Sequence, residues 1–160
     1  MSAPIIRDAT ATDAEAISDV LVRSITELCS ADHKNEPALL EGWLANKSPQ
    51  HIRDMINAGA HMRVGVASGE IQSVGCYSSD GQIQLLYVAP EARGKGQSTA
   101  LLESKEMELQ AAGHSGISLV SSRTAESFYL ARGWQLDGDR VACYSSDGQP
   151  MRKTLTPTKA

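Results

Sequence analysis

Tyr87-Val88-Ala89-Pro90-Glu91-Ala92-Arg93-Gly94-Lys95-Gly96-Gln97-Ser98 joins three signals in a fixed order. The run Ile83 to Val88 leads into it and is apolar and β-prone, and Pro90 ends the strand. Ser98 to Gln110 then reads as a helix, with Leu101, Leu102 and Leu109 on its apolar side and Gly113 closing it. The loop between holds two glycines and two cations. A glycine-rich turn entering a helix leaves first-turn N–H groups without partners, with their dipoles aligned, so it accepts phosphate oxygens. Gly94 and Gly96 let the backbone approach an anion with no Cβ in the way. Arg93 and Lys95 add positive charge at the rim.

Two familiar phosphate motifs do not fit. A P-loop needs Gly, four residues, then Gly-Lys-Ser or Gly-Lys-Thr. Here Gly96 follows Gly94-Lys95, and the upstream glycine is missing. The dinucleotide fingerprint would start at Gly94 and Gly96 but meets Thr99 at its third glycine. It also belongs after a first strand, whereas this loop lies past mid-chain.

The pattern Arg93-x-x-Gly96-x-Ser98, preceded by Val88-Ala89-Pro90-Glu91, closely resembles the acetyl-CoA loop of the GNAT superfamily of N-acetyltransferases. A second block, Ser122-Arg123-Thr124-Ala125-Glu126-Ser127-Phe128-Tyr129-Leu130-Ala131-Arg132-Gly133-Trp134, is similar to that family's Asn-x-x-Ala segment followed by Tyr and Gly-Phe. Ile5 to Thr10 with Asp13 resembles the family's first strand and helix start, so the resemblance spans nearly the whole chain. The sequence departs from the pattern where Ser98 stands for Gly or Ala, Ser122 for Asn, and Trp134 for Phe. Serine remains small, and it is also a good helix N-cap. The strand before the loop often carries a basic carboxylate in this family; here Gln82-Ile83-Gln84-Leu85-Leu86-Tyr87-Val88 carries none.

The resemblance implies an α/β fold of the mixed α+β kind. A central, mostly antiparallel twisted sheet would hold a splayed parallel strand pair and be flanked by helices. The pair would be the strand ending at Val88 and the strand Ile117 to Ser121. It implies an acetyl-CoA-dependent N-acetyltransferase acting on a primary amine of a small molecule or protein by direct attack on the thioester. Leu86, Tyr87, Val88, Arg93, Gly94, Lys95, Gly96, Gln97, Ser98, Ser122, Phe128 and Arg132 would bind acetyl-CoA as co-substrate. Tyr129 falls on the family's tyrosine position and would protonate the leaving thiolate. His33 is taken as the base, from the polar segment Glu27 to Glu36 in the family's variable acceptor region. Glu27, Asp32, Glu36, His61 and His114 are the other candidates, with a water relay as an equal route. A catalytically weak acyl-CoA-binding sensor is the alternative reading.

The remaining sequence bounds these expectations. The 160 residues suit one domain spanning 1–160. A net charge of −4 argues against nucleic acid as a partner. No run approaches the ~18 apolar residues of a membrane helix, and Met1 to Pro4 lacks the basic and hydrophobic run of a secretory signal. Cys29, Cys76 and Cys143 form neither a disulfide framework nor a metal site. The expected setting is cytoplasmic and reduced, with no metal; partners are acetyl-CoA and an amine acceptor, without membrane, and a homodimer is left open. Cys29 is expected as buried filler, and Trp43 as core or pocket lining. Cys76 to Gln82 recurs as Cys143 to Gln149, read as two strands ending in Asp-Gly turns. The tail from about 156 is expected to fray.

Overall fold

The strands and helices expected around the glycine loop all form, and their boundaries differ by a residue or two. The structure, a computed structural model, describes residues 4–143 and 146–155, the side chains of 142–147 apart. The expected frayed tail and part of the second heptapeptide copy lie outside the described residues. In chain order the elements are β1 (Ile5–Asp8), α1 (Ala14–Leu28), α2 (Ser30–His33), α3 (Pro37–Leu44), α4 (Pro49–Asn57), β2 (His61–Ala67), β3 (Glu70–Tyr77) and β4 (Gln82–Val88). Then come α5 (Gln97–Ala111), β5 (Gly116–Ser121), α6 (Arg123–Leu130), β6 (Gln135–Leu136), β7 (Val141–Cys143) and β8 (Ser146–Thr154).

The sheet runs β1-β2-β3-β4-β5-β8-β6, with β7 paired to β8. Every pairing is antiparallel except β4–β5. One core packs α1 and α4 on the sheet, through Ile17, Val20, Leu21, Ile52, Val64 and Val74. A second core, with Leu102, Leu109, Ile117, Leu119, Trp134 and Met151, lies under α5 and α6. Helix α1 presents Ile17, Val20, Leu21 and Ile25 as one buried stripe, as its helical spacing requires. Ser48 caps α4 by accepting a hydrogen bond from His51 N at 3.1 Å, with Pro49 opening the helix.

The β4–β5 pair is parallel for only two steps, Gln82 with Ser118 and Ile83 with Leu119. On its other edge β4 pairs Leu85 with Cys76 and Ile83 with Tyr77, so Gln84 is an extra residue in the ladder. A bulge of this kind bends its strand and re-aims a side chain. The bend falls where the parallel pairing stops, so β4 and β5 diverge toward their carboxyl ends. That divergence creates the space for a ligand.

One expectation failed locally. Ser30 to Glu36 reads as a polar loop, but Ser30–His33 is a helical turn, ended by Lys34 at φ 54°. Asp32 and His33 are buried there, 3% and 0% exposed. Their polarity serves internal hydrogen bonds instead of solvent.

Candidate functional site

Two cavities of about 410 and 430 Å³ meet at the divergence of β4 and β5. Ile83, Gln84, Leu85, Tyr87, Val120, Ser121 and Ser122 line both, so one continuous cleft passes between the strands. The larger arm runs toward the glycine loop. The smaller opens among α2, α3 and α4.

The larger arm gathers nearly every residue expected to bind the co-substrate. Leu86, Tyr87 and Val88 come from the end of β4; Arg93, Gly94, Gly96, Gln97 and Ser98 from the loop and the start of α5; Ser122, Phe128 and Arg132 from α6 and its flanks. Lys95 is not among the lining residues. Gly94 and Gly96 have φ of 79° and 81°, the left-handed region that favours glycine. A Cβ on Gly96 would meet nothing within 4 Å, so open space lies in front of the backbone. Gly96 is the N-cap of α5, and no side chain caps that helix. Its first-turn N–H groups and dipole are therefore directed at the cavity wall. The Gln97 side chain points elsewhere: its Oε1 accepts from Ser73 Oγ at 2.9 Å, inside the sheet. Gln97 thus contributes backbone to the cavity while its amide anchors α5. Arg132 bridges α6 to α5, donating to Thr99 Oγ1 at 3.1 Å and lying 3.7 Å above the Phe128 ring.

Tyr129 also lines the larger arm and is 6% exposed. Its ring packs edge-on against Phe128 and Trp134, with centroids at 5.3 and 5.7 Å. Burial pushes the phenol above its ordinary pKa, which keeps its proton in place at neutral pH. Cys29 lines the same arm, and burial, helped by the charge of Asp32, pushes its thiol up to about 12. It is a protonated, buried thiol, as expected of filler.

His33 is not brought to either arm. It is fully buried, with Nε2 2.8 Å from Ile25 O and Nδ1 accepting from Asn35 N at 3.0 Å. These two bonds fix the Nε2–H tautomer and leave no ring nitrogen for a substrate. The segment Glu27 to Glu36 contributes to the smaller arm through Asp32, whose oxygens accept from Arg123 N (2.6 Å), Thr124 N (3.1 Å) and Thr124 Oγ1 (2.7 Å). Asp32 therefore satisfies the first-turn donors of α6, beside the Ser122 cap that accepts from Ala125 N at 3.2 Å. His61 stacks on Tyr77 at 4.7 Å, His114 sits beside the Asp80-Gly81 turn, and neither lines an arm.

Trp43, Lys47, His51, Ile52 and Met55 complete the smaller arm. Trp43 is both core and pocket, 6% exposed. Lys47 is 2% exposed, its Nζ bonded to Asn46 Oδ1 and 3.5 Å from Trp43 O. His51 and Lys47 were not singled out from sequence. Ser48-Pro49 is a sequence pattern that suits a helix start, but no local signal tells which way its first turn faces.

Among the described residues, no group of His, Cys, Asp and Glu is arranged to hold a metal ion, and no helix is long and apolar enough to cross a membrane. The acetyltransferase (GNAT) domain model matches residues 17–155. No curated protein matches the chain. Among solved structures, a GCN5-related N-acetyltransferase from Rhodopseudomonas palustris superposes with a TM-score of 0.86 at 23% identity, over 97% of this chain and 98% of that one. The PaiA N-acetyltransferase of Thermoplasma acidophilum, in complex with coenzyme A, gives 0.80 at 19% identity, over 96% and 99%. A phosphinothricin acetyltransferase from Sinorhizobium meliloti, in complex with AcCoA, gives 0.69 at 20%, over 99% and 95%. The superpositions span nearly the whole of each chain, and the family model covers both the glycine loop and the Tyr129 block: the chain belongs to the GNAT acetyltransferase superfamily.

Proposed function

We propose that this protein is an N-acetyltransferase, working as one domain, that moves an acetyl group from acetyl-CoA to a primary amine. The observation that carries this reading is the cleft with two arms meeting between β4 and β5, one of them walled by an uncapped helix start behind Gly94 and Gly96. Backbone N–H groups of the loop and of the first turn of α5 hold the pyrophosphate, with Arg93 nearby. The thioester lies at the divergence and the amine enters from the smaller arm. On the edge that faces β5, β4 is laddered at Gln82 and Ile83, and the strands diverge beyond them. The N–H groups of β4, Val88 or a neighbour, steady the negative charge that develops on the carbonyl oxygen. Tyr129 gives its proton to the departing thiolate.

The amides of Gln82 and Gln84, in place of a carboxylate, favour a second reading: a CoA-binding module that catalyses weakly. Free-thiol release from acetyl-CoA with a panel of primary amines separates the two. Gly96→Val tests the binding half. It places a side chain in the anion's path and strains a residue at φ 81°, costing about 1–3 kcal/mol of stability. Calorimetric titration of the folded variant should show CoA affinity reduced at least tenfold. Unchanged affinity would remove the loop from the binding site.

A further inference from the structure

The amine entering the smaller arm must lose a proton before it attacks, and the strand that often carries the family's base supplies only Gln82 and Gln84. Four side chains on the wall of that arm can titrate: Asp32, Lys47, Tyr87 and His51. Asp32 has its carboxylate directed at the backbone and hydroxyl donors of α6. Taking a proton there would cost those bonds. Lys47 has its Nζ engaged as a donor to Asn46 Oδ1 and Trp43 O. A phenol has a reference pKa of ~10, far from that of a base for neutral chemistry. His51 is different in kind. It stands in the first turn of α4 and is exposed to the cleft, and its backbone N–H, not its ring, makes the cap bond to Ser48. Imidazole changes charge in the range where a base for neutral chemistry must work. Among the described residues, no other histidine lines the cleft.

We propose that His51 is a catalytic residue, the general base that takes the acceptor's proton, directly or through one water; this rests on the acetyltransfer reading above. The ammonium passes one proton to the imidazole. The freed nitrogen attacks the thioester carbon, the C–N bond forms and the C–S bond breaks. The nitrogen's second proton leaves as the amide forms, and the thiolate is protonated to the thiol. One proton is released to solvent overall, from His51 as it resets. The charged groups that share the arm with His51 are Asp32 and Lys47. On its own helix Arg53 and Asp54 are tied to Gln50. On the elements packed against α4, Asp13 pairs with Arg7 and Asp19 with Arg23, while α1 also carries Glu15 and Glu27.

The test compares wild type, His51→Gln and His51→Ala. Acetyl-CoA is the donor, and the amine is the best of ethanolamine, glycinamide, lysine amide and spermidine. In His51→Gln, kcat/KM for the amine should fall about 10²-fold at pH 7, the lower end of what a positioned base contributes. The acid limb of the pH profile in the imidazole range should vanish, and the deficit should shrink as pH approaches the amine's own pKa. Added imidazole should restore part of the rate in His51→Ala. CoA affinity, titrated in the same samples, should not change. Turnover by His51→Gln at the wild-type rate, with the wild-type pH profile, overturns the role of His51 and leaves the acetyltransfer reading standing. If wild type fails to bind CoA or releases no thiol with any of these amines, the acetyltransfer reading falls, and the proton transfer with it.

Discussion

Tyr129, the proton donor proposed above, is protonated at neutral pH, and its burial against Phe128 and Trp134 raises the phenol's pKa further. Its proton therefore moves only as negative charge builds on the departing sulfur. Tyr129→Phe keeps the ring and its packing. Because a thiolate leaves fairly well unaided, turnover should fall by about 10²-fold or less, with CoA affinity and melting temperature nearly unchanged. Wild-type turnover under conditions where chemistry limits the rate would make Tyr129 a packing residue. The position was legible only through the resemblance, carried by the contiguous block Ser122 to Trp134; read without it, Tyr129 is a core aromatic. The base was not legible. His33 and His51 are both histidines in polar surroundings along the sequence, and only tertiary packing decides which faces the cleft. His33 turns inward to Ile25 O, while His51 rides on the first turn of α4.

Helix α2 shows the same contrast one level up. A polar stretch between helices reads as solvated loop, yet Asp32 reaches across to the start of α6, ninety-one residues further along the chain. Nothing local in Ser30-Ala31-Asp32-His33 signals a partner that distant. By contrast β4, the loop and α5 were legible as a unit because each takes its shape from neighbours in sequence: β-prone alternation, Pro90, two left-handed glycines and a leucine face. The tie between α2 and α6 carries a testable load, since α6 brings Ser122, Phe128 and Tyr129 to the cleft. Asp32→Ala leaves Arg123 N, Thr124 N and Thr124 Oγ1 without their acceptor, a loss of about 2 kcal/mol. For a chain of this size that lowers the melting temperature by roughly 4–8 °C. Turnover should fall with it as α6 loosens, and Asp32→Asn, which keeps one acceptor oxygen, should lie between. A melting temperature within 1 °C of wild type (roughly half a kcal/mol or less) would show that Ser122 alone secures the helix.

At the scale of the whole molecule, the divergence of β4 from β5 came from the resemblance and not from periodicity, and the full strand order came only from the structure, because pairing partners far apart leave no local trace. Periodicity also missed a feature of the core between α5 and the sheet. Leu101, Leu102 and Leu109 bury as expected, but Lys105 is 0% exposed among them. Gly75 of β3 makes room for it: a Cβ there would come 2.4 Å from Lys105 Cε. Its Nζ lies 5.0 Å above the Tyr77 ring and 3.4 Å from His61 O. Tyr77 in turn donates to Glu108 at 2.8 Å, so a carboxylate stands close by. Burial outweighs that carboxylate and lowers the lysine from 10.5 to about 8. A lowered lysine pKa means that the unfolded chain binds more protons between those two values, so this group's contribution to stability rises with pH through that window. Below pH 8 both states are protonated and the cost of the buried charge, about 3 kcal/mol at most, is fully present. Lys105→Met should therefore be more stable than wild type at pH 7, and its advantage should shrink by about 1 kcal/mol by pH 9 as the wild-type lysine discharges. Measuring the difference between the two proteins cancels the opposing effect of Cys29, whose raised pKa removes stability above about pH 9 in both. Urea denaturation at pH 7, 8 and 9 reads the trend directly. A difference that stays constant across the three would mean that Lys105 keeps its charge in the folded protein, and that Glu108 and the Tyr77 ring fully compensate its burial.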